Sequence, residues 1–211
     1  MRTRIKICGF TCVEDAVFAS RLGVDAIGLV FYPPSPRNVQ LAQAREIVQA
    51  LPAFTSVVAL FVDEHESRIR EVLNAVPIDM IQFHGDEDPE ACRIYNKPYI
   101  KALRMQQDID IAYCADEYHD AAGLLLDAYH PDAKGGTGDK FDWAMIPQQY
   151  SFSLILAGGL DADNAKQAVQ SVKPYALDVS TGVEVQKGIK DAVKMAAFVE
   201  QVYQADRSKL R

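Results

Sequence analysis

The chain has 211 residues, 49% of them hydrophobic and 24% charged, with a formal net charge of −7 and a pI near 5.1. That is ordinary for one globular domain whose core needs no disulfide or metal to hold it. The cations are dispersed, which speaks against nucleic acid as a partner, because neutralising phosphates takes grouped Lys and Arg.

The four cysteines are Cys8, Cys12, Cys92 and Cys114. One C-x3-C pair and two singles match neither a zinc ribbon nor a disulfide scaffold. The opening segment has no apolar stretch of signal-peptide length, and no apolar run approaches the roughly 18 residues of a membrane span. These features predict a soluble, reduced, cytoplasmic protein with no membrane partner. The acidic balance reads as a solvated surface.

In chain order, the first strand-like run is TRIKIC (3–8), followed by a helical pattern over 12–22 with Val13, Ala16, Val17 and Leu22 on one side. DAIGLVF (25–31) leads into a proline-rich loop, FYPPSPRNVQ (31–40), that presents an isolated Arg37. A helix over 41–51 repeats Leu41, Ala44, Ile47, Val48 and Leu51, and SVVALFV (56–62) precedes a helix over 65–75 with Ile69, Val72 and Leu73. DMIQFH (79–84) and YIKALR (99–104) are strand-like, with weaker helical patterns at 86–96 and 107–117. GLLLD (123–127) is followed by glycine-rich KGGTGDKFDW (134–143) and only a short helical segment. SLILA (153–157), the loop LAGGLDADN, ALDVS (176–180) and a helix over about 188–204 complete the chain, the last with Ile189, Val193, Ala196, Val199 and Tyr203 on one face. The strand runs are brief, bounded by polar or Gly/Pro residues, and several are rich in Val, Ile and Leu; the helical segments carry their apolar residues at 3.6-residue spacing.

Eight strand runs alternating with helical segments predict βα units and a parallel sheet. Eight units in this length fit a single-domain (β/α)8 TIM barrel spanning residues 1–211. An open doubly wound sheet competes, but no strand is followed by G-x-G-x-x-G.

Alternation within strands assigns faces. Ile5 and Ile7 point out to the helices; Lys6 and Cys8 point in. Leu124 and Leu126 point out; Leu125 and Asp127 point in. Gln82 and His84 share the inner face, as do Asp178 and Ser180. Lys6 and Asp178, on the first and last strands, would neighbour each other as a buried ion pair. Lys6 could also stabilise a thiolate at Cys8, which sits nearer the catalytic mouth of the barrel.

A thiolate at Cys8 would be a base or nucleophile. Cys12, Cys92 and Cys114 fall in helical segments and read as structural. Asp127 stands where an apolar side chain is usual, and burial there would favour the protonated acid, able to donate near neutrality. It could equally cap the following loop. Gly158 and Gly159 join a strand to a helix start, where backbone N–H groups suit a phosphate. Ser180, Thr181 and Gly182 add a second such loop in the next unit, and the loops after strands 7 and 8 are the frequent phosphate site of this fold. Arg37 could grip a carboxylate in bidentate fashion. Arg104 is a second cation at the same rim. His84 reads as a satisfied rim histidine or a substrate contact.

KICGFT, SPR, QFHGDE, LLLDAY, GGTG with FDW, LAGGL with Asn164, and DVSTGVE occur in that order, each at or just after the end of a successive strand. Together they closely resemble phosphoribosylanthranilate isomerase of tryptophan biosynthesis, from about residue 4 to 200. The resemblance implies a barrel without cofactor or metal, and a small-molecule phosphosugar substrate rearranged from aldose to ketose. It puts the catalytic cysteine on Cys8 and the catalytic aspartate on Asp127. It gives the anthranilate carboxylate to Arg37 and the phosphate to Gly158, Gly159, Ser180, Thr181 and Gly182. Gln82, His84 and Arg104, placed on the inner face or at the rim, are expected as further substrate contacts. Asn38, where an aromatic is common, and Thr181, where serine is expected, depart from the pattern. A histidine-pathway sugar isomerase on the same barrel would use a carboxylate in place of Cys8. A non-catalytic phosphosugar-binding module would have no need of the Cys8 and Asp127 pair. Monomer and homodimer both stay open.

Overall fold

The computed structural model of the protein describes residues 2–106, 109–128 and 141–208. Eight parallel strands close into a barrel: β1 (Arg4–Cys8), β2 (Ala26–Val30), β3 (Ser56–Phe61), β4 (Met80–Phe83), β5 (Tyr99–Met105), β6 (Gly123–Ala128), β7 (Leu154–Leu156) and β8 (Ala176–Val179). Closure is made by β1, which pairs with β2 through Lys6↔Ala26 and Cys8↔Gly28 and with β8 through Lys6↔Asp178. The closed barrel excludes the open sheet.

The strands are near-continuous apolar runs because both faces of a parallel sheet are covered. Ile5, Ile7, Leu124, Leu126 and Leu177 face the helix layer. Ile100, Ala102, Leu125, Ile155, Ala157 and Ala176 fill the barrel interior, and Cys8, Val30, Leu60 and Val62 form a smaller apolar group nearer the mouth. Leu125 is 0% exposed; burying a side chain of that kind contributes about 1.5–3 kcal/mol. The predicted alternation of faces therefore holds at Ile5, Ile7, Leu124 and Leu126, which face out, and at Cys8 and Leu125, which face in.

The helices are α1 (Val13–Arg21), α2 (Leu41–Ala50), α3 (Glu66–Ala75), α4 (Pro89–Arg93), α5 (Ile111–Glu117), α6 (Ala165–Ser171) and α7 (Ala192–Ser208). Where patterning is strong the boundaries match expectation. Glu14 and Asp15 in the first turn of α1 and Arg21 in its last complement the helix dipole. The weak 86–96 pattern shrinks to α4, opened by Asp88, whose side chain accepts from Ala91 N at 2.7 Å, with Pro89 as its first residue. Between β6 and β7 the described residues hold only a 3₁₀ turn, Trp143–Met145. The glycine-rich stretch 134–140 lies outside the described residues.

The last helix differs from its predicted form. It starts at Ala192, not 188, because Gly188 (φ +86°) makes a turn that joins two short antiparallel strands, β9 (Glu184–Gln186) and β10 (Ile189–Lys190). The later start rotates the buried face. Met195, Phe198, Val199, Val202 and Ala205 pack inward, whereas Val193 and Ile189 are exposed.

Candidate active site

The C-terminal ends of the strands carry a polar cluster inside the barrel. Lys6 Nζ donates to Asp178 Oδ2 at 2.8 Å, and both side chains are buried. Asp178 Oδ1 is buried with no hydrogen-bond partner among the described residues. Burial pushes the Asp178 carboxyl up, opposed by Lys6. Burial disfavours the Lys6 ammonium, yet its pKa is raised, because Asp178 and Cys8 outweigh that penalty. The predicted ion pair across the β1–β8 seam is present, and the Lys6 ammonium also acts on the Cys8 thiol, favouring its thiolate.

Cys8 ends β1 at 6% exposure. Its neighbour across the ladder is Gly28, where any Cβ would come within 2.6 Å of the Cys8 sulfur. Glycine at 28 is thus what leaves room for the thiol on the inner face. Burial raises the thiol's pKa; Lys6 and Lys190 pull it down, and Asp178 pushes it up. Among the other cysteines, Cys92 is buried and pushed up to about 12, mainly by desolvation, so it is inert packing.

Asp127, near the end of β6, is 9% exposed and turned into the same interior. Its Oδ1 accepts from Ala128 N at 2.9 Å and its Oδ2 faces His84 Nε2 at 3.2 Å. Gln82 Nε2 donates to His84 Nδ1 at 2.9 Å, so the ring proton sits on Nε2 and is donated to Asp127. Both His84 nitrogens are thereby engaged inside the barrel. Gln82 Oε1 is buried with no hydrogen-bond partner among the described residues. Arg104 is adjacent to Asp127 in the ladder and pairs with Asp86 at the rim. Asp178 lies electrostatically between the two halves, coupled to Lys6 on one side and to Asp127 and His84 on the other.

Arg37 does grip a carboxylate in bidentate fashion, and it is one from its own chain. Its Nε and Nη2 donate to Glu184 at 2.8 and 2.7 Å, and Nη2 also to Thr181 Oγ1 at 3.1 Å. The arginine is 5% exposed. Glu184 Oε1 further accepts from Lys190 Nζ at 2.8 Å. Lys190, also buried, reaches the carbonyl oxygen of Cys8, which Ser180 Oγ likewise approaches at 2.9 Å. Burial depresses the Lys190 pKa against the pull of Glu184. Glu184 and Lys190 escaped the sequence reading because Lys190 fell inside the predicted last helix. A glutamate closely following Gly182 and a lysine between Ile189 and Asp191, just after Gly188, were the available signals.

The two glycine loops also meet. A Cβ on Gly182 would lie 1.9 Å from Leu160 O, so the segment after β8 packs directly on the loop after β7. Gly158 and Gly159 both have positive φ, +79° and +59°. They do not abut the helix start as predicted: α6 begins at Ala165, after a turn in which Asp161 Oδ1 accepts from the N–H groups of Asp163 and Asn164, each at 3.0 Å. The Asp161 turn takes up the residues between glycines and helix.

A family model for N-(5'-phosphoribosyl)anthranilate (PRA) isomerase matches residues 5–201. An enzyme of that name from Nitrosococcus oceani is 55% identical over 202 residues, covering 96% of this chain and 98% of the relative. The crystal structure of phosphoribosyl anthranilate isomerase from Thermotoga maritima superposes with a TM-score of 0.88 at 36% identity, covering 96% and 99% of the two chains. Another such isomerase, solved in complex with reduced 1-(o-carboxyphenylamino)-1-deoxyribulose 5-phosphate, has a TM-score of 0.83 at 35% identity over 96% and 99%. This chain belongs to the N-(5'-phosphoribosyl)anthranilate isomerase family.

Proposed function

We propose that the protein catalyses the Amadori rearrangement of N-(5'-phosphoribosyl)anthranilate to 1-(2-carboxyphenylamino)-1-deoxyribulose 5-phosphate, the isomerase step of tryptophan biosynthesis, with Asp127 as general acid and Cys8 as general base. The observation that carries the assignment of roles is that both groups are buried on the inner face of one barrel mouth, at the ends of β1 and β6. Asp127 donates a proton to the ribose ring oxygen. The C1–O bond breaks and the anilino nitrogen's lone pair forms the protonated Schiff base. The cationic nitrogen acidifies the C2 proton, and the Cys8 thiolate takes it, leaving an enolamine. Loss of the C2 hydroxyl proton to the Asp127 carboxylate and return of a proton from Cys8 to C1 gives the ketone, restoring both groups. Each acid or base step is worth roughly 10²–10⁴-fold.

Arg37 meets the anthranilate carboxylate, Arg104 lies at the rim beside the acid, and Gln82 and His84 hold that acid in place while bordering the substrate. The touching loops of Gly158, Gly159, Ser180, Thr181 and Gly182 hold the phosphate. The whole chain acts as one catalytic domain, as a monomer or homodimer, in the cytoplasm, where its free thiols stay reduced. Among the described residues no helix is long and apolar enough to cross a membrane.

The test is to mix purified protein with freshly prepared phosphoribosylanthranilate and follow the loss of its fluorescence. Catalytic loss is expected; a rate equal to the spontaneous decay overturns the reading in favour of a non-catalytic phosphosugar binder.

A further inference from the structure

Arg37 cannot be a freely swinging arm. Its stem lies across Gly9, where a Cβ would come within 2.4 Å of Arg37 Cδ, and its head is locked by Glu184 through two parallel hydrogen bonds of 2.8 and 2.7 Å. Such a fork fixes the plane of the guanidinium as well as its position. Of the five N–H donors on arginine, those on Nε and Nη2 are aimed at Glu184 and Thr181, and no hydrogen bond to a described residue uses Nη1. One edge of the group is therefore held ready for a second anion.

The charge balance points the same way. Glu184 sits between two buried cations, Arg37 and Lys190. Burial alone would push its carboxyl up, but Arg37 and Lys190 hold it below the usual glutamate value, so it is ionised. A lone Arg–Glu pair would be neutral and offer an incoming carboxylate little attraction. With Lys190 sharing the same glutamate, the cluster carries a net single positive charge inside the protein, where charge is costly unless it is met by an anion. The cluster is also tied to both functional loops, through Thr181 on one side and the Cys8 carbonyl on the other.

We infer that Glu184 is a positioning residue that sets carboxylate recognition: it fixes the Arg37 guanidinium so that its free edge receives the carboxylate on the substrate's aromatic ring. This rests on the proposed function, in which Arg37 is the carboxylate contact. Thr181 and Lys190 complete the mount.

Glu184→Gln tests it. The amide would turn an NH₂ donor toward one guanidinium nitrogen and break the fork, while Arg37 itself stays. The readout is the inhibition constant of two product analogues, reduced 1-(2-carboxyphenylamino)-1-deoxyribulose 5-phosphate and its counterpart with an unsubstituted phenyl ring. In the wild-type protein the carboxylate should improve binding by about tenfold or more, the worth of a charge-assisted hydrogen bond. In Glu184→Gln that preference should fall toward unity while the carboxylate-free analogue binds unchanged, and Glu184→Asp should recover part of it. Adding Glu184→Gln to Arg37→Ala should change nothing further. Because the result is a ratio within one preparation, partial loss of folded protein cancels; if the amide variant does not fold, Glu184→Asp alone must show a reduced ratio. Equal weakening of both analogues, or an unchanged ratio, overturns the inference. Failure of the wild-type protein to turn over phosphoribosylanthranilate would instead overturn the proposed function.

Discussion

At the residue scale, the site depends on a thiol that its surroundings make reluctant to ionise. Desolvation of Cys8, aided by Asp178, outweighs the two ammonium groups, Lys6 and Lys190, that favour the thiolate. At neutral pH the resting form is therefore the thiol. Since the reaction uses the thiolate, kcat/KM should climb with pH along a limb lying above the ordinary thiol value of about 8.5. A rate profile flat from pH 7 to 9.5 would contradict Cys8 as the base. Cys8→Ala and Asp127→Asn should each lower kcat by about 10²–10⁴-fold; turnover within threefold of wild type would remove that residue from the mechanism. The roles expected of Cys8 and Asp127 came from residue type at a strand end, and alternation alone put both on the inner face. The occupied state of Arg37 was not legible. Its partner Glu184 lies 147 residues away, and no local pattern announces a contact that only folding creates.

At the scale of elements, the β9–β10 hairpin is the least anticipated feature and the one that builds the Arg37 mount. Its turn depends on Gly188, whose φ of +86° is left-handed. Gly188→Ala should cost about 1–2 kcal/mol of stability from that strain alone, measurable as a lower urea midpoint with an unchanged slope. An unchanged midpoint would mean that the turn relaxes freely. The hairpin was invisible because Ile189 and Val193 fall on a helical spacing with Ala196 and Val199, and two- and three-residue strands are too short to show a period of two. The longer helices were legible for the opposite reason. In α2 and α3 the apolar residues recur through whole turns, and Ala44, Ile47, Ile69 and Val72 are indeed the ones buried. The 86–96 stretch failed to extend as a helix because Pro89 sets the start and only one turn follows before Ile94 caps it.

At the scale of the whole molecule, Lys6 and Asp178 stand directly opposite on the first and last strands, where the sheet closes on itself. Lys6→Met would strand a buried carboxylate and should cost about 3–5 kcal/mol, whereas Lys6→Met with Asp178→Leu should recover most of that loss. Denaturant midpoints of the three proteins decide it; a single variant as stable as wild type would show that the pair does not hold the seam. The sequence by itself determined the βα repeat, the facing of residues in β1 and β6 and the residue types at the strand ends, because these follow from local periodicity and from what a strand terminus in a barrel presents. Only the tertiary structure decided that Asp127 is held by His84, which Gln82 bonds in turn, that Lys190 reaches the Cys8 carbonyl, and that Glu184 captures Arg37. Those contacts join residues distant along the chain, and closure of the barrel is the physical event that brings their elements to one mouth.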